Sequence, residues 1–319
     1  MDVGVGLWAM RATARRPASF PSLYSDLLAD ARAADELGFH SLWIAEHHFW
    51  YDGWCPAPLV AAGAVLGATR RLHVGTGIML LSLYEPDDAI ERVAAVHELA
   101  SGRLELGVGL GYRDAEFDAF GLARRERGRR MEAGLAALVR WTEERGSGPP
   151  VWVGGMADAA VRRAAGHGYG LVLPQTLTLE QVEARMAAAA EVAADAGRPR
   201  PPVALMRHAW ATDGSEAQAA DARAAIDATL REYTGSWFEL KGRPGFDAPR
   251  ALDGQVSRAT GAALIGTPLQ LRDDLRELAE LGIEMVVLHL TSDGARVELR
   301  DNMRRLAREV LPAVSGEAT

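Results

Sequence analysis

The feature that most constrains the fold is a regular alternation of short apolar runs with longer stretches of helical periodicity. Most of the runs are followed by a segment in which apolar residues recur every three or four positions. Short apolar runs of this kind are typical of parallel strands covered on both faces. Eight strand–helix repeats predict a (β/α)8 TIM barrel of the α/β class, with a doubly wound open sheet as the alternative. The predicted strands cover residues 3–8, 42–45, 72–77, 103–110, 151–153, 170–173, 203–211 and 285–290.

The chain of 319 residues is long for one domain. Barrels of this class nevertheless run well beyond 200 residues as a single unit, so we predict one domain over residues 1–319. One stretch does not fit an ordinary connection. Residues 233–260 are rich in Gly and Pro and show no clear period. We predict that this segment is an irregular insertion that acts as a lid over the site.

Charge and cysteine content narrow the possible partners. The chain has 43 acidic and 35 basic residues, a formal charge of −8, and no run of Lys or Arg that resembles a nucleic-acid patch. Nucleic acid and anionic membranes are therefore not expected partners. The single cysteine, Cys55, has no internal disulfide partner, the chain starts without a recognisable leader, and no apolar stretch reaches about 18 residues. We predict a cytoplasmic location.

Three titratable residues follow the second predicted strand. Glu46, His47 and His48 come directly after the apolar run 42–45. In α/β barrels the functional side chains lie at the carboxyl ends of the strands, so these three are the first catalytic candidates. An imidazole with a pKa near neutrality suits a general acid or base. Adjacent residues of an extended chain point to opposite faces, so the three are not expected to bind one metal ion.

Several separate motifs carry a family resemblance. They are IAEHHF, VGTGI, the block GRLELGVGLGYRDAEFDAFG at 102–121, VWVGG at 151–155 and LIGTP at 264–268. In this order and at this spacing they make the chain resemble the luciferase-like flavin monooxygenases along essentially its whole length. The likeness is closest over residues 40–121. The resemblance implies a barrel that uses reduced FMN, or the deazaflavin F420.

The same resemblance implies roles for the histidine motif. His47 matches the catalytic histidine of the family and would donate a hydrogen bond or a proton near the reacting edge of the flavin. Glu46 would fix the orientation of an imidazole or form an ion pair in the barrel. His48 is the weaker catalytic candidate. The competing interpretation is that both histidines only cap the strand or bond to the backbone.

Three stretches match cofactor contacts in relatives. The first stretch, Gly77 and Ile78, matches a non-proline cis peptide beside the flavin ring. The second, Gly109 to Tyr112 with Leu110 and Gly111 between them, passes the ribityl chain and the phosphate. The third, Gly154, Gly155 and Met156, begins a helix whose free amides attract a phosphate. Without the resemblance, such glycines also fit ordinary close packing.

The phosphate region departs from the family pattern. Relatives often have Ser or Thr in the first turn of that helix, and luciferase has an arginine in the fourth-strand segment. Here Ala157, Asp158 and Leu110 stand at these positions, with Arg113 as a compensating cation. An aspartate repels a phosphate, so we expect the flavin to bind loosely. Loose binding suits a protein that receives reduced flavin from a separate reductase, and it equally suits F420.

Aromatic residues gather near the ends of the first two strands. We predict that Trp8, Phe49, Trp50 and Met79 line a pocket for a small apolar or aromatic substrate. The predicted activity is a monooxygenase that consumes reduced FMN and O2, and the family implies a homodimer. The alternatives are an F420-dependent hydride-transfer enzyme and a flavin-binding relative without catalysis.

Overall fold

Parallel strands and helices alternate along the computed structural model, which describes residues 1–6, 17–49, 55–238, 248–291 and 296–314. The strands are β1 (Asp2–Gly6), β2 (Ser41–Ile44), β3 (His73–Thr76), β4 (Leu104–Val108), β5 (Val151–Gly154), β6 (Gly170–Leu173), β7 (Val203–Ala211), β8 (Leu264–Gly266) and β9 (Met285–Leu290). The helices are α1 (Phe20–Leu37), α2 (Pro58–Ala68), α3 (Pro86–Ala100), α4 (Asp114–Ala119), α5 (Arg127–Arg145), α6 (Asp158–His167), α7 (Leu179–Asp195), α8 (Glu216–Phe238), α9 (Ala248–Gly261), α10 (Pro268–Glu280), α11 (Arg296–Glu309) and α12 (Leu311–Val314).

The strand pairings close into a barrel. β1 to β6 pair in sequence order, β6 pairs with β7, and β9 lies between β7 and β1. Each of these pairings is parallel. The short β8 extends the ring only at the end of β7, where Ala209 pairs with Leu264. The predicted (β/α)8 barrel is therefore confirmed.

Two tryptophans fill the barrel interior. Trp43 and Trp152 meet edge to face at 6.2 Å between ring centroids and belong to a small buried cluster inside the ring. Glycine on the neighbouring strands makes room for them. A Cβ on Gly75 would lie 2.4 Å from Trp43, and a Cβ on Gly170 would lie 2.4 Å from Trp152. Large side chains that face glycines, which have no side chain, let a narrow barrel close without voids.

The helices cover the outside of the barrel with their apolar faces. The main hydrophobic core lies between the outward side of the strands and the helices, as in Leu42, Val74 and Leu106. Three of the helices begin with capping boxes, in which a Ser or Thr side chain accepts from a backbone N–H three residues later. The capping residues are Ser19, Thr178 and Thr267.

The late segment differs in part from its prediction. Residues 233–260 were expected to be irregular, but α8 continues to residue 238 and α9 begins at residue 248. Only residues 239–247 lie outside the described part. The two helices pack through a buried apolar cluster that contains Ile226, Leu230 and Val256. Burial of that cluster stabilises helix despite the Gly and Pro of the segment. The lid function stays a prediction.

Among the described helices, none is long and apolar enough to cross a membrane.

Candidate active site

The histidine motif lies at the carboxyl end of β2. The strand ends at Ile44, and the chain then forms an isolated bridge in which Glu46 pairs with Cys55. The backbone N–H of His47 donates to the carbonyl of Cys55 at 3.1 Å. The side chains of Glu46, His47 and His48 are 2%, 6% and 7% exposed. Three titratable groups are thus held in fixed positions away from bulk water.

His47 forms a dyad with a carboxylate from another part of the chain. Its Nδ1 lies 3.1 Å from Oε1 of Glu116, a fully buried residue of α4. On the other side of the ring, the hydroxyl of Tyr112 lies 3.1 Å from Nε2. An ionised carboxylate only accepts, so Nδ1 carries the proton, and Nε2 accepts from the tyrosine. The arrangement fixes both the tautomer and the orientation of the imidazole.

Burial and hydrogen bonds set the charges of the dyad. Burial lowers the pKa of His47 below its ordinary value, although Glu116 opposes that shift. Burial alone would raise the pKa of the Glu116 carboxyl, but hydrogen bonds from His47 and the His48 amide, with the charge of Arg113, bring it below its ordinary value. At neutral pH the dyad is therefore a neutral imidazole beside an ionised carboxylate.

Glu46 and His48 form a second, structural pair. Oε1 of Glu46 lies 2.6 Å from Nε2 of His48 and accepts from the Tyr84 hydroxyl at 2.6 Å. Oε2 accepts from the backbone N–H of Leu80 at 2.8 Å. The ring of His48 meets Phe120 edge to face at 4.9 Å. Glu46 thus connects the end of β2 to the segment after β3, and it contacts His48 rather than the dyad.

Ile78 forms an apolar floor at the carboxyl ends of β4 and β5. The peptide bond between Gly77 and Ile78 is cis, as the resemblance implied. The Ile78 side chain packs over two glycines at the ends of β4 and β5. A Cβ on Gly109 would lie 1.9 Å from Cδ1 of Ile78, and one on Gly154 would lie 2.8 Å away. The half-exposed Ile78 side chain also covers the tryptophan cluster inside the barrel.

The start of α6 has a cation that the sequence did not suggest. Gly154 ends β5, Gly155 follows it, and Met156, 45% exposed, precedes the helix. The guanidinium of Arg185, on α7, donates through Nε to the Met156 carbonyl at 2.8 Å. Asp158 stands in the first turn of α6 as expected. Arg185 thus places a positive charge beside the segment that precedes α6.

The other predicted contacts lie in different surroundings. Leu110 is half-buried, and its carbonyl accepts from the Ser82 hydroxyl at 2.7 Å. Gly111 adopts a left-handed φ of 67°, which turns the chain toward Tyr112. Phe49 is 65% exposed beside His48, whereas Met79 is 1% exposed and belongs to the core. Trp8 and Trp50 lie outside the described residues.

Two members of this site were missed at the sequence level. Glu116 sits within the quoted block 102–121 and Arg185 within a predicted helix, but neither forms a recognisable pattern with His47 or Gly155 along the chain. The only local signal is that Glu116 follows Arg113 by one helical turn, and the two side chains do pair at 3.2 Å. Their importance comes from contacts between elements far apart in sequence.

The fold and this site define an α/β barrel with a buried imidazole at the carboxyl end of the strands, which is where barrels of this kind carry their functional residues. The model of the luciferase-like monooxygenase family matches residues 5–285. The chain therefore belongs to the luciferase-like monooxygenase family.

Two similar proteins illustrate the family. An uncharacterized protein, y4vJ, of Sinorhizobium fredii is 30% identical over 176 residues, which are 48% of this chain and 50% of that protein. This chain thus matches about half the length of that relative. The 4-hydroxyprotoasukamycin monooxygenase of Streptomyces nodosus subsp. asukaensis is 24% identical over 333 residues, covering 92% of this chain and 88% of the relative.

Solved structures share the whole barrel. Monooxygenase RslO1 from Streptomyces bottropensis has a TM-score of 0.76 at 24% identity, covering 98% of this chain and 99% of that one. The oxygenating constituent of 3,6-diketocamphane monooxygenase from Pseudomonas putida, in complex with FMN, scores 0.78 at 15%, with 98% of both chains covered. An F420-dependent secondary alcohol dehydrogenase scores 0.73 at 16%, covering 98% and 99%. At these identities the likeness shows the fold.

Proposed function

We propose that this protein uses reduced FMN and O2 to oxygenate a small apolar or aromatic organic substrate. The observation that carries the proposal is the buried His47–Glu116 dyad, with Tyr112 on its outer nitrogen, at the end of β2. Hydroxylation and Baeyer–Villiger chemistry both need a proton donor or acceptor held near the reacting atoms. A neutral, oriented imidazole is suited to that role.

The residues around the dyad fit a flavin. The half-exposed side chain of Ile78 offers an apolar surface for a flat ring, and bulkier side chains at Gly109 and Gly154 would displace it. At the start of α6, Arg185 and the backbone amides after Gly155 suit a phosphate. When bound, the reduced flavin would supply the electrons that activate O2.

The side chains of the dyad would control protons. Glu116 keeps Nδ1 of His47 protonated, so Nε2 is the nitrogen that exchanges a proton with the reacting group. The Tyr112 hydroxyl, 3.1 Å from Nε2, would pass that proton or position the substrate. Burial excludes water from these steps and strengthens each charge interaction. Phe49, exposed beside His48, is a candidate contact for an aromatic substrate.

The first test is anaerobic titration of the purified protein with reduced FMN and, separately, with reduced F420, followed by admission of air in a stopped-flow spectrometer. We expect reduced FMN to bind, and its reoxidation to follow a course that differs from that of the free flavin. If neither flavin binds, the proposal is wrong. If FMN binds and reoxidises as the free flavin does, the chain is a flavin-binding relative without catalysis.

An F420-dependent hydride transfer is the second candidate. Asp158 and Leu110 stand at positions where relatives carry residues that favour phosphate binding. Their replacement here would matter less for F420, whose tail differs from that of FMN. Binding of F420 alone in the titration would support this candidate and remove O2 from the reaction.

The dyad is tested by substitution. We expect His47→Gln and Tyr112→Phe to bind FMN with unchanged affinity and to slow turnover, by about 10²–10⁴-fold and about 10-fold respectively. The His167→Gln variant, at the last residue of α6, serves as the control. Full activity in His47→Gln would exclude His47 as the catalytic base or acid.

We further propose a homodimer that receives reduced FMN from a separate reductase in the cytoplasm. The support for the dimer is α2, which is apolar on all sides: Val60 is 75% exposed on its outer face, and Leu99 of the adjacent α3 is 74% exposed. A second copy of this chain would cover them. Sedimentation analysis of Val60→Asp should give a monomer, whereas Leu269→Asp on α10 should leave the dimer intact. A monomeric wild-type protein would contradict the proposal.

A further inference from the structure

A second group of titratable side chains lies at the opposite end of the barrel from the dyad. His40 directly precedes β2, His73 is the first residue of β3, and Glu105 is the second residue of β4. Each of the three offers a metal-ligating atom within 4.8 Å of those of the other two. Backbone pairing fixes this grouping, because the His73 N–H donates to the His40 carbonyl at 3.0 Å.

We propose that His40, His73 and Glu105 form a binding site for a divalent transition metal ion such as Zn²⁺. Two imidazoles and one carboxylate are ligands that suit zinc and its neighbours rather than calcium or magnesium. This site is separate from the motif Glu46–His48 and from the dyad. It takes no part in the proposed oxygenation and would stabilise the amino-terminal end of the barrel.

The distances are close to what coordination needs. Nδ1 of His73 lies 3.0 Å from Oε1 of Glu105. An ion bonded to both atoms at about 2.0–2.2 Å would see them at an angle of about 90°, which is close to the octahedral value, and a small increase in their separation would give the tetrahedral one. The His40 and His73 rings lie 4.5 Å apart with a tilt of 32°. Modest rotation of the half-exposed imidazoles would bring the third ligand into range.

Charge gives a reason for a cation at this place. Glu105 is 4% exposed, inside the ring of strands. In the described part of the chain its partners are the indole N–H of Trp152, which donates to Oε2 at 2.8 Å, and His73. A buried carboxylate needs a compensating positive charge, which a metal ion would supply. The Trp152 bond fixes the carboxylate, as outer contacts of metal ligands do.

His40 places a ring nitrogen close to the other two proposed ligands. Its Nε2 lies 3.6 Å from a carboxylate oxygen of Asp2, and its buried Nδ1 has no hydrogen-bond partner among the described residues. The Asp2 side chain is 55% exposed, so the carboxylate beside His40 is accessible to solvent.

The experiment is calorimetric titration of the untagged, chelator-treated full chain with Zn²⁺, together with visible spectroscopy of the Co²⁺-loaded protein. We expect one ion per chain, the intense ligand-field bands of low-coordinate Co²⁺, and a higher melting temperature with Zn²⁺. Each of His73→Asn and Glu105→Gln should weaken binding at least 10-fold. His167→Asn, a half-exposed histidine at the end of α6, is the matched control and should bind as the wild type does.

Two outcomes would overturn the proposal. One is the absence of stoichiometric binding to the wild-type chain, in which case the contacts of Glu105 with Trp152 and His73 hold the carboxylate without a metal ion. The other is binding that survives in His73→Asn and is lost in His47→Asn, because the ion would then occupy the dyad. Since Glu105→Gln places a different group in the barrel interior, His40→Asn, at a partly exposed position, provides a further variant should Glu105→Gln fail to fold.

Discussion

Replacement of Glu116 by Gln is the most direct perturbation of the dyad. The carboxylate accepts from Nδ1 of His47, the amide of His48 and the guanidinium of Arg113, at 3.0–3.2 Å. Glutamine has the same shape but no charge. Hydrogen bonds to a charged group contribute about 1.5–3 kcal/mol, and neutral ones about 0.5–1.5 kcal/mol. The imidazolium form of His47 thus loses about 1–1.5 kcal/mol of stabilisation.

This loss corresponds to a fall of about one unit in the pKa of His47, since one unit equals about 1.4 kcal/mol. The pKa of His47 already lies below its ordinary value, so we expect it to move further down. The measurement is NMR titration of ring carbons in histidine-labelled protein, with the His47 signal assigned from His47→Gln. Asp118→Asn, an exposed carboxylate on the same helix, is the control. If the pKa of His47 moves by less than about 0.3 unit in Glu116→Gln, the hydrogen bond to Glu116 does not control that pKa and the reasoning is refuted.

The same variant changes the pH dependence of stability. The pKa of Glu116 is lower in the folded protein than in the unfolded chain. The ionised carboxylate therefore adds to the free energy of unfolding above the unfolded pKa, and this contribution is lost as the pH falls through the folded pKa. At pH 7 we expect Glu116→Gln to be less stable by about 2–3 kcal/mol, because Arg113 loses its buried counter-ion. The difference in free energy of unfolding between the variant and the wild type should narrow below about pH 4. Urea unfolding at pH 7 and pH 3.5 measures it, and an equal difference at both values would contradict the reasoning.

Three further predictions concern the floor, the phosphate region and the thiol. Gly109→Ala forces Ile78 aside and should destabilise the protein by about 1–3 kcal/mol in chemical denaturation, whereas Gly166→Ala, in open space on α6, should not destabilise it. Arg185→Gln should weaken binding of reduced FMN about 10-fold and leave riboflavin, which lacks the phosphate, unaffected; an equal loss for both would exclude a phosphate contact. Burial raises the pKa of Cys55 to about 11, so the folded protein at pH 8 should react with thiol reagents at least about 100-fold more slowly than the unfolded chain, and comparable rates would contradict that burial.

The sequence alone determined the architecture of this protein. Apolar runs such as 170–173, 203–211 and 285–290 were predicted with the bounds that the structure has, because strands covered on both faces need uninterrupted apolar sequence. The motif after β2 and the order of the glycine-rich segments were also sufficient to predict the family. These features are local, and local patterns can be read along one chain.

Tertiary structure decided which groups meet. Glu116 is 69 positions from His47, and Arg185 is 29 positions from Met156, so no spacing rule connects them. The three residues His40, His73 and Glu105 are brought together only by the parallel register of β2, β3 and β4. A barrel brings strands that are distant in sequence into one ring. The grouping of His47 with Glu116 at one end, and of His40, His73 and Glu105 at the other, depends on that arrangement.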